Sequence, residues 1–356
     1  MKKIHVILIG LLPIQWLGLS ILERHTFWVE TFYSKKFYPF IFDTHRYFFD
    51  RVPFSIGDIL YGILLLYLLK SVVDLIRNKT FHWRICIKNS LSAISLLLLI
   101  FHLNWGLNYY RTPLHQKLRY NLTYNETQLE NTLQSLITTS NKLHKSLSTN
   151  DTVAVHISYS KKHLAKMLED NFKFDLEEIQ INPYLKNSLW STALSYMGYA
   201  GYLNPFTLES QANQKIPKLN YIVTAGHEMA HQLGVASESE ANFIAFYTSI
   251  KHSDPFIQYA GYTFALRYCY AELFKAHPEL AKKQIKKLNS GVIKNFQELS
   301  KFWNLYQNPF EPIFKKGYDT YLKANGQKQG IKSYNAMVAF VIAYSEKEFM
   351  KLDKND

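Results

Sequence analysis

Long apolar stretches near the N-terminus are the strongest constraint on how this 356-residue chain can fold. A helix needs about 20 largely apolar residues to cross a bilayer. The segments 4–22, 56–76 and 90–107 have that character and close to that length. We therefore predict a membrane region over residues 1–107 with three transmembrane helices, in contact with the lipid bilayer. Lys70, near one end of the second segment, can extend its amine to the interface.

The first apolar segment has a competing interpretation as a cleaved signal peptide. Its length and the preceding Lys2 and Lys3 both suit a signal peptide. However, no Ala-x-Ala-like cleavage site follows, and apolar residues continue through Leu22. A retained span is therefore favoured.

Basic residues predict the orientation of these spans. The connector between the second and third segments is crowded with basic residues: Arg77, Lys79, Arg84 and Lys88. Short basic loops stay in the cytoplasm, which places residues 108–356 outside the cytoplasmic membrane. The first loop, residues 23–55, argues the other way with five basic residues: Arg24, Lys35, Lys36, Arg46 and Arg51. Its many aromatic residues predict short helices at the headgroup level.

Composition narrows the partners. The net charge of +13 suits anionic lipid or an anionic envelope polymer. The basic residues are spread along the chain and form no basic helix or finger, so nucleic acid is not a predicted partner. Cys86 and Cys269 lie outside any CxxC pattern, and no disulfide framework is predicted.

The sequence His227-Glu228-x-x-His231 carries the strongest chemical signal. Residues four apart on a helix lie on one face, so both imidazoles can reach the same metal ion. A glutamate directly after the first histidine can hold the proton of a zinc-activated water. We therefore predict a Zn²⁺ site with His227 and His231 as ligands and Glu228 as the catalytic base. A chance occurrence of the motif would leave its continuation to residue 242 unexplained.

The residues after the motif supply candidates for the third ligand that a catalytic zinc site needs. Gly234 can turn the chain in a left-handed conformation. Ser237 with Glu240 fits a capping box at the start of a second helix. That assignment makes Glu238 the predicted third ligand and Glu240 the alternative. Asn242, four residues after Glu238, is predicted to support a ligand histidine. The competing interpretation is that both glutamates are solvated charges at a helix start.

This stretch resembles the zincin metallopeptidases in which a Glu-x-x-Ala-Asp/Asn helix follows the HExxH helix. The resemblance implies that Glu238 is a zinc ligand and that Asn242 takes the Asp/Asn position. Six residues separate His231 from Glu238, fewer than the glutamate zincins usually have. Gly234 resembles the metzincin turn, although Ser237 stands where the third metzincin histidine would be.

Other stretches extend the resemblance: Trp105–Arg111, Asn204–Glu209 and Tyr318–Gly326. Together with the motif, they resemble a family of bacterial membrane proteins labelled a domain of unknown function. That family combines three membrane spans with a zincin-like domain. The resemblance covers nearly the whole chain and implies a bacterial cytoplasmic (inner) membrane location. It implies no substrate.

Residues 108–356 are predicted to form one mostly helical domain with a small β-sheet, a zincin-like α+β arrangement. Apolar periodicity and terminal signals predict helices over 125–146, 160–169, 217–233, 237–250, 255–276, 279–288, 292–306 and 331–350. Residues 176–185 are predicted to be irregular, and residues 193–213 to form short strands with a turn. In zincins, a strand at that place lines the cleft and pairs with substrate. An ordinary hairpin packed on the core is the competing interpretation.

The predicted function is that of a membrane-anchored zinc metallopeptidase. Zinc would lower the pKa of its bound water, and Glu228 would pass the proton to the leaving amine. The candidates for stabilising the oxyanion are left unranked: Tyr318, Tyr334, Tyr262 and His252. The membrane tether favours an envelope protein or peptide as substrate, and a polar motif far from any span disfavours an intramembrane protease. The alternative function is a non-hydrolytic, zinc-binding envelope sensor or scaffold.

Overall fold

The computed structural model describes residues 3–77, 82–176, 181–327, 330 and 336–352. It is mostly helical, at 72%, with a small three-stranded sheet, which confirms the predicted balance of helix and strand. The chain divides into two compact units. The first comprises residues 1–112 and 204–209, and the second comprises residues 113–203 and 210–356. The location of the second unit outside the cytoplasmic membrane stays a prediction.

The first unit contains the apolar helices. In chain order its elements are α1 (Lys3–Leu22), α2 (Thr26–Trp28), a π-helix (Val29–Phe37), α3 (Tyr38–Phe49), α4 (Ile56–Arg77), α5 (Trp83–Asn104) and a 3₁₀-helix (Gly106–Tyr110). Helices α1, α4 and α5 are long and apolar enough to cross a membrane. The apolar windows of α1 and α4 are not buried inside the chain, which is consistent with lipid around them.

The third apolar segment differs from its predicted bounds. Helix α5 already begins at Trp83 and ends at Asn104, rather than spanning 90–107. Arg84 and Lys88 therefore lie within the helix and not in a connector. Long basic side chains are tolerated at the end of such a helix because they can extend toward the headgroups. Lys79 lies outside the described residues.

In the first unit, two buried glutamates accept hydrogen bonds from other parts of the chain. Glu30, in the π-helix, accepts hydrogen bonds from Arg111 Nε and Nη2 at 3.0 Å each. Glu209 accepts hydrogen bonds from the backbone N–H groups of Ile56 (3.1 Å) and Gly57 (2.6 Å). It thereby satisfies donors at the N-terminus of α4, which lack partners within the helix. Arg111 and Glu209 both come from stretches that carry the family resemblance.

The second unit contains the predicted helical domain and the sheet. Its elements are α6 (Leu114–Leu118), α7 (Glu126–Leu147), α8 (Lys161–Asp170), β1 (Leu185–Asn187), α9 (Ser191–Met197), β2 (Gly201–Leu203), β3 (Ser210–Ala212), α10 (Lys218–Gln232), α11 (Glu238–Ile250), α12 (Pro255–Ala276), α13 (Pro278–Ile285), α14 (Ser290–Leu305), α15 (Glu311–Ala324) and α16 (Met337–Leu352). The strand order is β1-β3-β2, with β1 parallel and β2 antiparallel to β3.

Several predicted elements need correction. Residues 193–213 are only partly strand, because Ser191–Met197 forms α9. Gly198, with φ of 79°, ends that helix in a left-handed conformation, so it marks a helix end and not a strand turn. Helix α15 and strand β1 were not predicted. Of the predicted helix 331–350, residues 331–335 lie outside the described part of the chain.

Helix α10 lies at the centre of the second unit. It packs against α11, α12, α8 and β3. Its apolar side chains, including Tyr221, Ile222 and Met229, join one hydrophobic cluster with residues of α8 and α12 such as Leu164 and Ile257. Burial on nearly every side fixes the helix in position, which is what a site built on its polar residues requires.

The α10–α11 contact predicts a steric test. A Cβ added at Gly226 would lie 3.2 Å from Ala245 Cα and 3.3 Å from Ala245 Cβ. Gly226→Leu should force the helices apart and cost about 1–3 kcal/mol of unfolding free energy. Thermal unfolding of the purified protein, followed by circular dichroism, measures the loss.

Gly317→Ala is the matched control, because nothing lies within 4 Å of a Cβ at that position in α15. Alanine there should stabilise the helix by up to about 1 kcal/mol. Equal melting temperatures for Gly226→Leu and the wild type would contradict close packing of α10 on α11.

Candidate metal centre

The two motif histidines face each other on α10. All residues from Ala225 to Gln232 are buried, and the side chains of His227 and His231 are only 10% and 8% exposed. Their ring centroids lie 4.6 Å apart, and the two Nε2 atoms are 3.0 Å apart. The four-residue spacing therefore brings the two nitrogens to one point, as the motif predicts.

Hydrogen bonds at the other ring nitrogen determine the tautomer of each histidine. His227 Nδ1 lies 2.8 Å from Asn242 Oδ1, and His231 Nδ1 lies 2.7 Å from the Val235 carbonyl oxygen. Both oxygens accept hydrogen bonds, so each Nδ1 carries the proton of the neutral ring. Each Nε2 is then left with a lone pair directed into the site, which is the usual arrangement of metal-binding histidines.

Glu238 brings a carboxylate to the same point. Its Oε2 atom lies 3.1 Å from His227 Nε2 and 3.7 Å from His231 Nε2. Gly234, with φ of 75°, turns the chain after α10 as predicted, so that α11 returns beside it. The ligand atoms of His227, His231 and Glu238 all lie within 4.8 Å of one another, and the three residues are buried.

Glu240, the alternative third ligand, makes a hydrogen bond to another part of the chain. Its Oε1 atom accepts a hydrogen bond of 2.7 Å from the backbone N–H of Leu114, the first residue of α6. The predicted capping box is therefore wrong, since Ser237 makes no side-chain cap and Glu240 instead serves a distant helix start. Both glutamates are nearly inaccessible, at 2% for Glu238 and 9% for Glu240, so neither is a solvated charge.

The donor set fits a zinc ion. Two imidazole nitrogens and one carboxylate oxygen are a known ligand set of catalytic zinc, in which a fourth position stays open. Two lone pairs facing each other at 3.0 Å are repulsive unless a cation lies with them. Burial alone would lower the pKa of His231, but the Glu238 and Glu228 carboxylates outweigh it and raise that pKa to about 9. Without metal, a proton on His231 supplies the positive charge.

Glu228 follows His227 on α10 and is buried with it. It is 5% exposed, and among the described residues its Oε2 atom has no hydrogen-bond partner. Burial raises the pKa of Glu228 to about 7, against the opposing effect of the two imidazoles. A carboxyl group that titrates near neutrality can both accept and return a proton.

Strand β2 passes beside this carboxylate. A Cβ at Gly201 would lie 2.7 Å from Glu228 Oε1 and 2.6 Å from the Gln211 carbonyl oxygen, so only glycine fits there. Among the described strands, β2 pairs with β3 alone and lies at the edge of the sheet. Strand β3 is joined to α10 by a hydrogen bond of 2.7 Å from Ser210 Oγ to the backbone carbonyl oxygen of Glu228. Substrate pairing with this edge stays a prediction.

The candidates for stabilising the oxyanion have different partners in the structure. The Tyr318 hydroxyl donates a 2.8 Å hydrogen bond to Glu238 Oε1. His252 instead accepts a hydrogen bond from the backbone N–H of Asp254, and the ring of Tyr262 packs against Phe246. Tyr334 lies outside the described residues. The structure thus places Tyr318 at the cluster, on a helix that the sequence did not predict.

The structure brings Asn242 to His227, as predicted, and adds the Val235 carbonyl, which the sequence analysis missed. The position of Val235, directly after the turning glycine, is the signal that could have found it. Neither cysteine belongs to the cluster: Cys86 is exposed on α5 and Cys269 is buried in α12.

One comparison with known proteins gave a match. A family model described as "Protein of unknown function (DUF3810)" matches residues 33–342. Comparison with curated proteins and comparison with solved structures each found none. The matched range contains the whole segment from His227 to Asn242, although the description assigns no activity. Any chemical assignment therefore depends on the geometry of the site.

Substitution of Glu238 and of Glu240 should affect metal binding differently. Glu238→Gln should reduce zinc affinity by more than the roughly 10–100-fold typical of losing an outer hydrogen-bond partner, because it neutralises a ligand. Glu240→Gln should keep stoichiometric zinc, since an amide oxygen can still accept from Leu114. Elemental analysis of the purified protein, with a chelator titration, measures both. Zinc loss confined to Glu240→Gln would reverse the assignment.

Asn242 predicts a smaller effect. Asn242→Ala removes the acceptor that orients His227 and should weaken zinc binding about 10–100-fold. Asn304→Ala, at an exposed position of α14, is the matched control and should bind zinc like the wild type. An Asn242→Ala protein with unchanged affinity would show that the His227 ring needs no such support.

Proposed function

The chain belongs to this family, and we propose that it is a membrane-anchored, zinc-dependent metallopeptidase of the bacterial cytoplasmic (inner) membrane. The observation that carries the proposal is the convergence of His227, His231 and Glu238 beside a buried Glu228. A zincin-like fold of the second unit is part of the proposal. A purely structural zinc site has no need of a general base, so the position of Glu228 favours catalysis.

Each residue of the site would have its own role in peptide hydrolysis. His227, His231 and Glu238 would hold a Zn²⁺ ion, which supplies Lewis-acid activation of water and of the scissile carbonyl when bound. Glu228 accepts the proton of the attacking water and donates it to the leaving amine. Asn242 and the Val235 carbonyl keep both imidazoles in the tautomer that presents Nε2.

The membrane region supports a substrate in the cell envelope. Among the described residues, helices α1, α4 and α5 are long and apolar enough to cross a membrane. With the basic residues at the end of α4 and the start of α5 in the cytoplasm, the second unit lies on the extracytoplasmic side. Its substrate is then an envelope protein or peptide. The described residues of α10 are not part of any apolar span, which argues against cleavage within the bilayer.

A non-hydrolytic zinc-binding sensor or scaffold is the second candidate. The observation that favours it is the low accessibility of the ligands, with Glu238 only 2% exposed. Such a module would hold zinc equally well and would not use Glu228. Catalysis and metal binding must therefore be measured separately.

Glu228→Gln separates the two candidates. Zinc content should be unchanged, because glutamine keeps the shape of the side chain and Glu228 is not a proposed ligand. The substitution removes only the proton acceptor. Turnover of a peptide library by the full-length protein in detergent should fall at least about 10²–10⁴-fold. Glu279→Gln is the control, at an exposed glutamate of α13 paired with Lys282, and should retain both the zinc content and the turnover of the wild type.

Retained turnover in Glu228→Gln would remove that residue from the mechanism. Zinc-loaded wild-type protein that cleaves nothing in the library would favour the sensor or scaffold.

A further inference from the structure

Tyr318 contacts the proposed third ligand directly. Its hydroxyl donates a 2.8 Å hydrogen bond to Glu238 Oε1. We propose that Tyr318 is a positioning residue, which holds Glu238 so that only Oε2 faces the metal. This inference rests on the zinc centre proposed above and assigns a role to the stretch Tyr318–Gly326, which the sequence analysis singled out.

The two oxygens of Glu238 have different surroundings. Oε1 accepts from Tyr318, whereas Oε2 lies 3.1 Å from His227 Nε2 and 3.7 Å from His231 Nε2. A carboxylate can bind a metal through one oxygen or both, and a hydrogen bond to one of them favours the other as ligand. If Glu238 binds through one oxygen, one coordination position of the metal stays open for the water that a hydrolytic site needs.

Helix α15 is fixed at its N-terminal end. Asn308, just before the helix, donates a hydrogen bond of 2.7 Å from Nδ2 to the Tyr196 carbonyl oxygen. The Tyr199 hydroxyl donates to the Phe314 carbonyl oxygen at 3.1 Å. Both contacts tie the start of α15 to residues of α9 and the turn that follows it.

The C-terminal end of α15 is tied to the turn between the ligands. Gln327 donates a hydrogen bond of 2.7 Å from Nε2 to the carbonyl oxygen of Ala236, two residues before Glu238. Leu322 is fully buried. Because both ends are held, the helix presents Tyr318 to Glu238 from a fixed backbone.

Ring packing removes the remaining freedom of the Tyr318 side chain. Its ring lies edge-on to Tyr199, with centroids 5.7 Å apart, and is stacked on Tyr321 at 6.0 Å. Contacts of this kind restrict the side-chain torsions. The hydroxyl is therefore held on Oε1, as an outer partner of a metal ligand must be.

Tyr318→Phe tests the inference in the full-length protein in detergent. Loss of the hydroxyl should weaken zinc binding about 10–100-fold in competition with a chelator. In the Co²⁺-loaded protein, the visible absorption spectrum should change, because a second carboxylate oxygen becomes free to bind. Tyr306→Phe, which removes a hydroxyl from a ring packed against Tyr196 and Phe302, is the control and should leave affinity and spectrum unchanged.

A Glu238→Ala background separates positioning from a general effect on folding. If Tyr318 acts through Glu238, then adding Tyr318→Phe to Glu238→Ala should weaken zinc binding less than twofold further. A further tenfold loss in that background would overturn the inference.

Other outcomes distinguish this inference from the proposed function. Wild-type protein that binds no zinc would defeat the metal centre itself. Wild-type protein that binds zinc, with Tyr318→Phe equal to it in affinity and cobalt spectrum, would overturn the positioning role alone. Lower turnover under those conditions would place the hydroxyl on the reaction instead of on the ligand.

Discussion

The repulsion between two buried imidazole lone pairs is the constraint on which the site depends. His227 and His231 commit their Nδ1 protons to fixed acceptors, which leaves two Nε2 atoms facing each other at 3.0 Å. Such an arrangement is unfavourable in the interior of a protein unless positive charge lies between the groups. Glu238 adds a negative charge at the same point and strengthens that requirement. We therefore expect a cation, either a proton or a metal ion, at this point between α10 and α11.

The short connection between α10 and α11 serves several parts of this arrangement. Gly234 reverses the chain in a left-handed conformation, which explains how few residues suffice between His231 and Glu238. The next carbonyl, from Val235, orients His231. Ala236 accepts a hydrogen bond from Gln327 after α15, so the same turn also anchors the helix that carries Tyr318. This short connection thus positions His231 and Glu238 together with the residues that orient them.

The sequence predicts the parts of the site that follow from local spacing. The four-residue interval brings His227 to His231, and the interval from Glu238 to Asn242 brings the amide to His227. Local spacing does not distinguish Glu238 from Glu240, because both lie in the first turn of α11. That choice depends on Leu114, a backbone donor far away in sequence that engages Glu240.

The fold shows the same division. The long apolar helices α1, α4 and α5 follow from their length and composition. Helix α7 follows from its one apolar face, and α12 from apolar residues along most of its length. Helix α15 was harder to predict because most of its residues are exposed and Gly317, in its interior, weakens the helical signal. It is held by hydrogen bonds at its two ends, which no local pattern records.

X-ray absorption at the zinc edge of the full-length, zinc-loaded protein tests the central claim most directly. The account predicts a first shell of nitrogen and oxygen atoms at about 2.0–2.2 Å, with the outer-shell scattering of two imidazoles and no sulfur. A sulfur shell near about 2.3 Å, or a shell without imidazole, would contradict the account, because the metal would then be held by residues other than His227, His231 and Glu238.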